Sequence, residues 1–162
     1  MELFIKETID LFTTVLTVLF TAALPLIELR GPIPVGISLG LSPLHAVIIS
    51  FVGSMIPVPF ILLTIKPIFN YLKRTKLLNK YIHKLTERSL KKHGPKVQKY
   101  GVLGLILLVA IPIPGTGVWS GSLVAALLNM RFRWAFFAIF MGNLIAAIFI
   151  VTLTNSIIGV FL

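Results

Sequence analysis

Residues 31–65 and 100–130 carry no Asp, Glu, Lys or Arg. Runs of this kind belong in hydrocarbon, and their lengths limit what the chain can fold into. Crossing a roughly 30 Å apolar layer takes about 20 residues of helix. Each run is too long for one crossing and too short for two crossings and a turn. The stretch "AIPIPGTGVWSG" (110–121) resolves the second case. Pro112, Pro114, Gly115 and Gly117 split 100–130 into two arms of about a dozen residues, each about 18–20 Å long as a helix. Neither arm spans. The pattern predicts a re-entrant hairpin that enters and leaves the membrane on one face. Broken backbone at that depth is tolerated only when it is buried in protein or lines a wet cavity.

Two more uncharged runs, 11–27 and 134–162, complete the apolar part of the chain. The first is marginal as a span and the second comfortable. Only 12% of the residues are charged, against about 25% in a soluble domain, and the mean hydropathy is +0.99. An integral membrane protein is expected. The absence of cysteine excludes disulfides, thiol catalysis and cysteine metal sites. Glu2, Lys6, Glu7 and Asp10 do not make a basic leader, so no cleaved signal peptide is expected.

The net charge of +10 is concentrated: eleven of the fifteen Lys and Arg lie from Lys66 to Lys99, with Glu87 the one acid among them. Nucleic acid is one partner for such a segment, but a basic loop beside membrane spans is better read as held on the cytoplasmic side of the cell membrane. Phe69, Leu72, Leu78, Ile82 and Leu85 recur at helical spacing within it. An amphipathic helix is expected there, lying on anionic lipid headgroups. A re-entrant 100–130 also returns Arg131 and Arg133 to that same basic side.

The halves echo each other. "GPIPVG" (31–36) resembles "IPIPGTG" (111–117), and "SPLHAVIISFVGS" (42–54) lines up with "RFRWAFFAIFMGN" (131–143). A helix from Pro43 to Ile65 ends at the basic segment, whereas a helix from Arg133 to about Asn155 starts beside it. The expected fold is therefore all-α, with two inverted repeats. Each repeat is a re-entrant helical hairpin plus a transmembrane helix. One membrane domain covers 1–162: first repeat 1–66, basic connector 67–99, second repeat 100–162. Many transporters build substrate sites from such discontinuous helices.

The candidate binding or coupling residues sit at the breaks. An arm opening at Gly115-Thr116-Gly117 would present unpartnered N–H groups and a positive dipole end to an anion, with Thr116 as a cap. The competing reading is a packing kink sealed by neighbouring helices. In the first half, Glu28 and Arg30 precede Pro32 and Pro34. Glu28 could carry a proton, and Arg30 could pair with it or hold a phosphate. Either could instead sit at the interface. His45 and Asn143 occupy similar positions in the two spanning helices, and Asn143 is a further candidate. No metal constellation, phosphate-binding loop, nucleophile elbow or acid pair is present in the sequence, so neither an enzyme nor a bound cofactor is expected.

Glu28 ahead of Pro32-x-Pro34, the basic centre, and "YGVLGLILLVAIPIPGTG" followed by "SLVAALLNMRF" together resemble the DedA superfamily, in particular its small multidrug export branch. The resemblance runs from about Leu19 to Asn155. It implies two facing re-entrant loops and transport of lipid-like amphiphiles such as polyprenyl-phosphates or phospholipids. Arg131 matches the motif's arginine after the hairpin, and Glu28 its acidic position. Val109, Ala110, Thr116 and Gly117 stand where DedA proteins usually carry arginines around the second break. The expectation is a transporter, proton-coupled through Glu28, whose partners are membrane lipids and which is compatible with homo-oligomers. Two alternatives are an exporter of cationic amphiphiles and a membrane scaffold that does not transport.

Overall fold

The computed structural model describes residues 1–25, 27–73, 87, 97, 99–113 and 116–161. Among the described residues it is helical, with no strand. The helices are α1 (Glu2–Ala23), α2 (Pro32–Ser38), α3 (Pro43–Met55), α4 (Pro57–Lys73), α5 (Lys99–Ala110), α6 (Val118–Leu127) and α7 (Phe132–Phe161). Most of the connector expected at 67–99 lies outside the described residues. What is described there shows that α4 runs on through Pro67 to Lys73. The chain forms two compact units, Met1–Ile56 with Ala147–Leu162 and Pro57–Ala146.

Among the described residues, two apolar helical stretches are long enough to cross a membrane, Pro43–Ile65 and Phe132–Ser156. At 1.5 Å per residue they reach about 35 Å and about 38 Å, against roughly 30 Å of hydrocarbon. The first is interrupted where Pro57 lacks the N–H needed to continue the helical ladder. The N–H of Ile56, just before it, is shared between the carbonyls of Val52 (3.2 Å) and Gly53 (3.3 Å). Both stretches expose large apolar side chains at helical spacing: Leu44, Ile48 and Val52 on one, and Leu144, Ile145, Ile148 and Phe149 on the other. Faces of this size suit lipid rather than water.

In the first unit α1 ends at Ala23 because Leu24 precedes Pro25 and is driven extended, at φ −72° and ψ 142°. Turns carry the chain to Pro32, which opens α2 at a position where the missing N–H costs nothing. Gly40, at φ 92°, closes α2. The Leu41 N–H reaches the Gly36 carbonyl and the Gly40 N–H the Ile37 carbonyl, both at 3.0 Å, which is a Schellman turn. Ser42 then caps α3, with its Oγ accepting from the His45 N–H at 3.4 Å. The core gathers Val18, Leu41 and Ala46, with Val15, Ile37 and Ile49 packed around them. Gly53 of α3 lies directly on the Leu19 carbonyl oxygen of α1, and a Cβ there would also fall 2.9 Å from that of Ala22.

The second unit contains the same two devices. Asn129, at φ 58°, closes α6. The Met130 N–H bonds the Ala125 carbonyl at 3.0 Å and the Asn129 N–H that of Ala126 at 3.2 Å. Gly142 of α7 packs on α5, where a Cβ would fall 2.7 Å from both the Ile106 oxygen and the Val109 Cβ. A Cβ on Gly121 of α6 would fall 2.6 Å from Val109 Cγ2. Small residues let helices approach this closely where no water drives them together.

Candidate functional site

The interruption at 111–117 separates α5 from α6. Ile111, Pro112 and Ile113 are exposed and non-helical, while Gly117 is buried. Pro114 and Gly115, both expected in the site, lie outside the described residues. The Thr116 hydroxyl turns back toward the end of α5. It lies 2.7 Å from the Ile111 carbonyl oxygen and 2.6 Å from that of Ile113, and it accepts from the Ile113 N–H at 3.3 Å. The N-cap position of α6 falls on Gly117 rather than on Thr116, the expected cap. The short side chain of Thr116 instead satisfies carbonyls that the broken helix leaves over.

The N-cap of α6 is Gly117, at φ 122° and ψ −163°, with no side-chain cap. That backbone region is open to essentially glycine alone. Ser120 and Ser122 turn their hydroxyls inward, to the Gly117 carbonyl at 3.3 Å and the Val118 carbonyl at 2.5 Å. The N-cap residue itself therefore brings no side chain to the positive end of α6.

Glu28 is 6% exposed and adopts φ 51°, a left-handed conformation unusual for a residue with a Cβ. Arg30 is half-buried, and both residues are engaged by other groups. Both sit in the turns between α1 and α2. Pro32 and Pro34 lie in the first turn of α2, where they start a helix. Pro112 stands between helices. Pro112 thus differs in setting from Pro32 and Pro34, and the described likeness of the halves lies in the turns closing α2 and α6.

Asn143 is buried at 2% exposure in α7 and is engaged. His45 is exposed, its Nδ1 2.6 Å from Ser42 Oγ. The expected equivalence of His45 and Asn143 fails for that reason. Aligning 42–54 with 131–143 matches Asn143 instead to Ser54, which is also buried. Arg131 is exposed just ahead of α7. Glu28, Arg30, Pro32 and Pro34 belong to the first unit, and Pro112, Thr116, Gly117, Arg131 and Asn143 to the second.

Two features went unread in the sequence. Ser50 is fully buried in α3, and its hydroxyl has no hydrogen-bond partner. Its spacing from Ala46, Gly53 and Ser54 was the available signal. The other is a recess of about 530 Å³ lined by Arg131, Phe132, Arg133, Trp134 and Phe137. Among the described residues, no cluster of His, Cys, Asp and Glu could hold a metal ion.

Residues 28–149 match the model of the family described as "Putative small multi-drug export protein". The chain belongs to that family. The match takes in Glu28, both proline motifs and most of α7. With two described helices long and apolar enough to span, this makes the chain a membrane protein of the small multi-drug export family. No curated protein and no solved structure matches it.

Proposed function

We propose that this small multi-drug export family protein moves a lipid-like amphiphile across the cell membrane, using one re-entrant loop in each half of an inverted repeat. The observation that carries the reading is the interruption at 111–117. It joins two apolar helical stretches, Lys99–Ala110 and Val118–Leu127, whose 12 and 10 described residues reach about 18 Å and about 15 Å, each short of a span. It leaves the start of α6 with a glycine and no side-chain cap, suited to an anionic head such as a phosphate. The repeat is supported by the Schellman turns at 39–41 and 128–130, each followed by a spanning helix. It is supported again by Gly53 and Gly142, each pressed on a carbonyl of an earlier helix in its own unit. Its inversion rests on charge, since Lys66 follows one span and Arg131 and Arg133 precede the other. The positive-inside rule holds those ends, and the basic connector, on the cytoplasmic face. Buried Glu28 is the proposed coupling acid. The sequence resemblance to DedA proteins fits a lipid substrate.

Vesicles containing the purified protein test this with labelled anionic lipid and, separately, a cationic dye. Lipid movement that stops in Gly117→Ala is the expected result. Dye movement without lipid movement replaces it with a second reading, export of cationic amphiphiles with Glu28 as counter-charge. The family's description and the burial of Glu28 both favour that alternative. Movement of neither returns the chain to a scaffold role.

A further inference from the structure

The recess at the head of α7 is separate from the interruption and needs only the membrane position of α7. Its lining is of two kinds. Arg131 and Arg133 supply two exposed cations, and among the described residues no acid lines it. Phe132, Trp134 and Phe137 supply aromatic surface, 42%, 56% and 50% exposed. Phe132 is held by stacking on Phe136, with centroids 5.9 Å apart. The apolar span Phe132–Ser156 begins here, so the recess lies where hydrocarbon meets headgroups.

These surfaces call for different parts of one molecule. Guanidinium groups bind phosphate oxygens through paired hydrogen bonds. Tryptophan and phenylalanine at the same level suit the glycerol and upper acyl region. A free anion would leave the aromatic surface in contact with water, and a neutral lipid would leave the arginines without a counter-charge. We infer that this recess is a binding site for a single anionic phospholipid, its phosphate on Arg131 and Arg133 and its upper chains against Trp134 and Phe137. Charge complementarity selects the lipid: the described lining sets two cations at a headgroup layer.

The test uses the full chain in detergent micelles and phospholipids brominated in the upper acyl chain. Trp119 and Trp134 are the two tryptophans, so Trp119→Phe leaves Trp134 as the sole emitter. Brominated phosphatidylglycerol should quench Trp134 at lower mole fraction than brominated phosphatidylcholine. Each arginine should contribute about fivefold to that preference. Arg131→Gln with Arg133→Gln should abolish it, while the double lysine variant should keep most of it. High salt should weaken it in the Trp119→Phe protein itself, independently of whether the arginine variants fold. Equal quenching by both lipids overturns the site. So does an undiminished preference in the glutamine variant, or displacement of phosphatidylglycerol by inorganic phosphate at equal concentration.

Discussion

Gly142 of α7 stands so close to Ile106 of α5 that a Cβ on the glycine would fall 2.7 Å from the Ile106 carbonyl oxygen. Main chain cannot swing aside as a side-chain tip can. Gly142→Ala should therefore cost about 1–3 kcal/mol, the usual penalty for overpacking a close contact. Gly53→Ala should cost a similar amount against the Leu19 carbonyl. Gly36→Ala, whose nearest neighbours are side-chain carbons at 3.2 Å, should cost less. Thermal unfolding in detergent ranks the three. A Gly36→Ala loss as large as the others would refute the backbone explanation.

Ser50 should behave in the opposite direction. Its buried hydroxyl lacks a partner, and an unsatisfied buried donor costs about 1–3 kcal/mol. Ser50→Ala should raise the unfolding temperature. Ser54→Ala removes a hydroxyl that donates to the Phe51 carbonyl at 2.9 Å and should lower it. The pair separates polar satisfaction from packing, because both serines are fully buried.

At the interruption, Thr116→Val keeps the shape of the side chain and deletes its hydroxyl. The carbonyls of Ile111 and Ile113 lose that donor. The expected loss is about 1–3 kcal/mol, with Thr116→Ser close to the parent. Circular dichroism melts are sufficient. A valine variant as stable as the parent would mean that other groups satisfy these carbonyls.

Glu28 allows shape and chemistry to be tested apart. Glycine relieves the left-handed backbone at φ 51°, worth about 1–2 kcal/mol, but removes the carboxylate. Glutamine keeps the side chain and cannot carry the proton. On the transport reading both variants lose substrate movement, although Glu28→Gly keeps the parent's melting temperature or exceeds it. Parent-level transport in both, measured across pH, would take Glu28 out of the mechanism.

Single cysteines at positions 94 and 131 probe topology, since the chain has none of its own. Both should react with a membrane-impermeant maleimide from the cytoplasmic face only. Labelling from opposite faces would mean that 100–130 crosses the membrane, and the hairpin and inverted repeat would be abandoned.

The spans were legible because charge marks their ends. Pro43–Ile65 stops just before Lys66, and Phe132–Ser156 begins between Arg131 and Arg133. Details of the site were less legible. A Pro-x-Pro motif suits the first turn of a helix and a link between helices equally well, so the tripeptide does not tell α2 from 111–117. Thr116 has donors ahead of it and carbonyls behind it, and spacing does not say which its hydroxyl will choose. His45 and Asn143 differ in burial because the helical register, rather than residue type, decides which side of a span faces protein. Glu28's left-handed backbone has no sequence signal, since glycine or asparagine would be the expected occupants.

Thr14 and Thr17 on α1, Thr64 on α4, and Thr152 and Thr154 on α7 donate their hydroxyl protons to the carbonyl four residues earlier. A threonine tied down this way needs no hydrogen from its surroundings. The work of carrying α7 out of water is then smaller than a residue-by-residue transfer scale assigns, because such scales charge each hydroxyl as if its proton were still unmet. Replacing these threonines with valine would change the calculated insertion cost of the helix far more than the cost the bilayer itself registers.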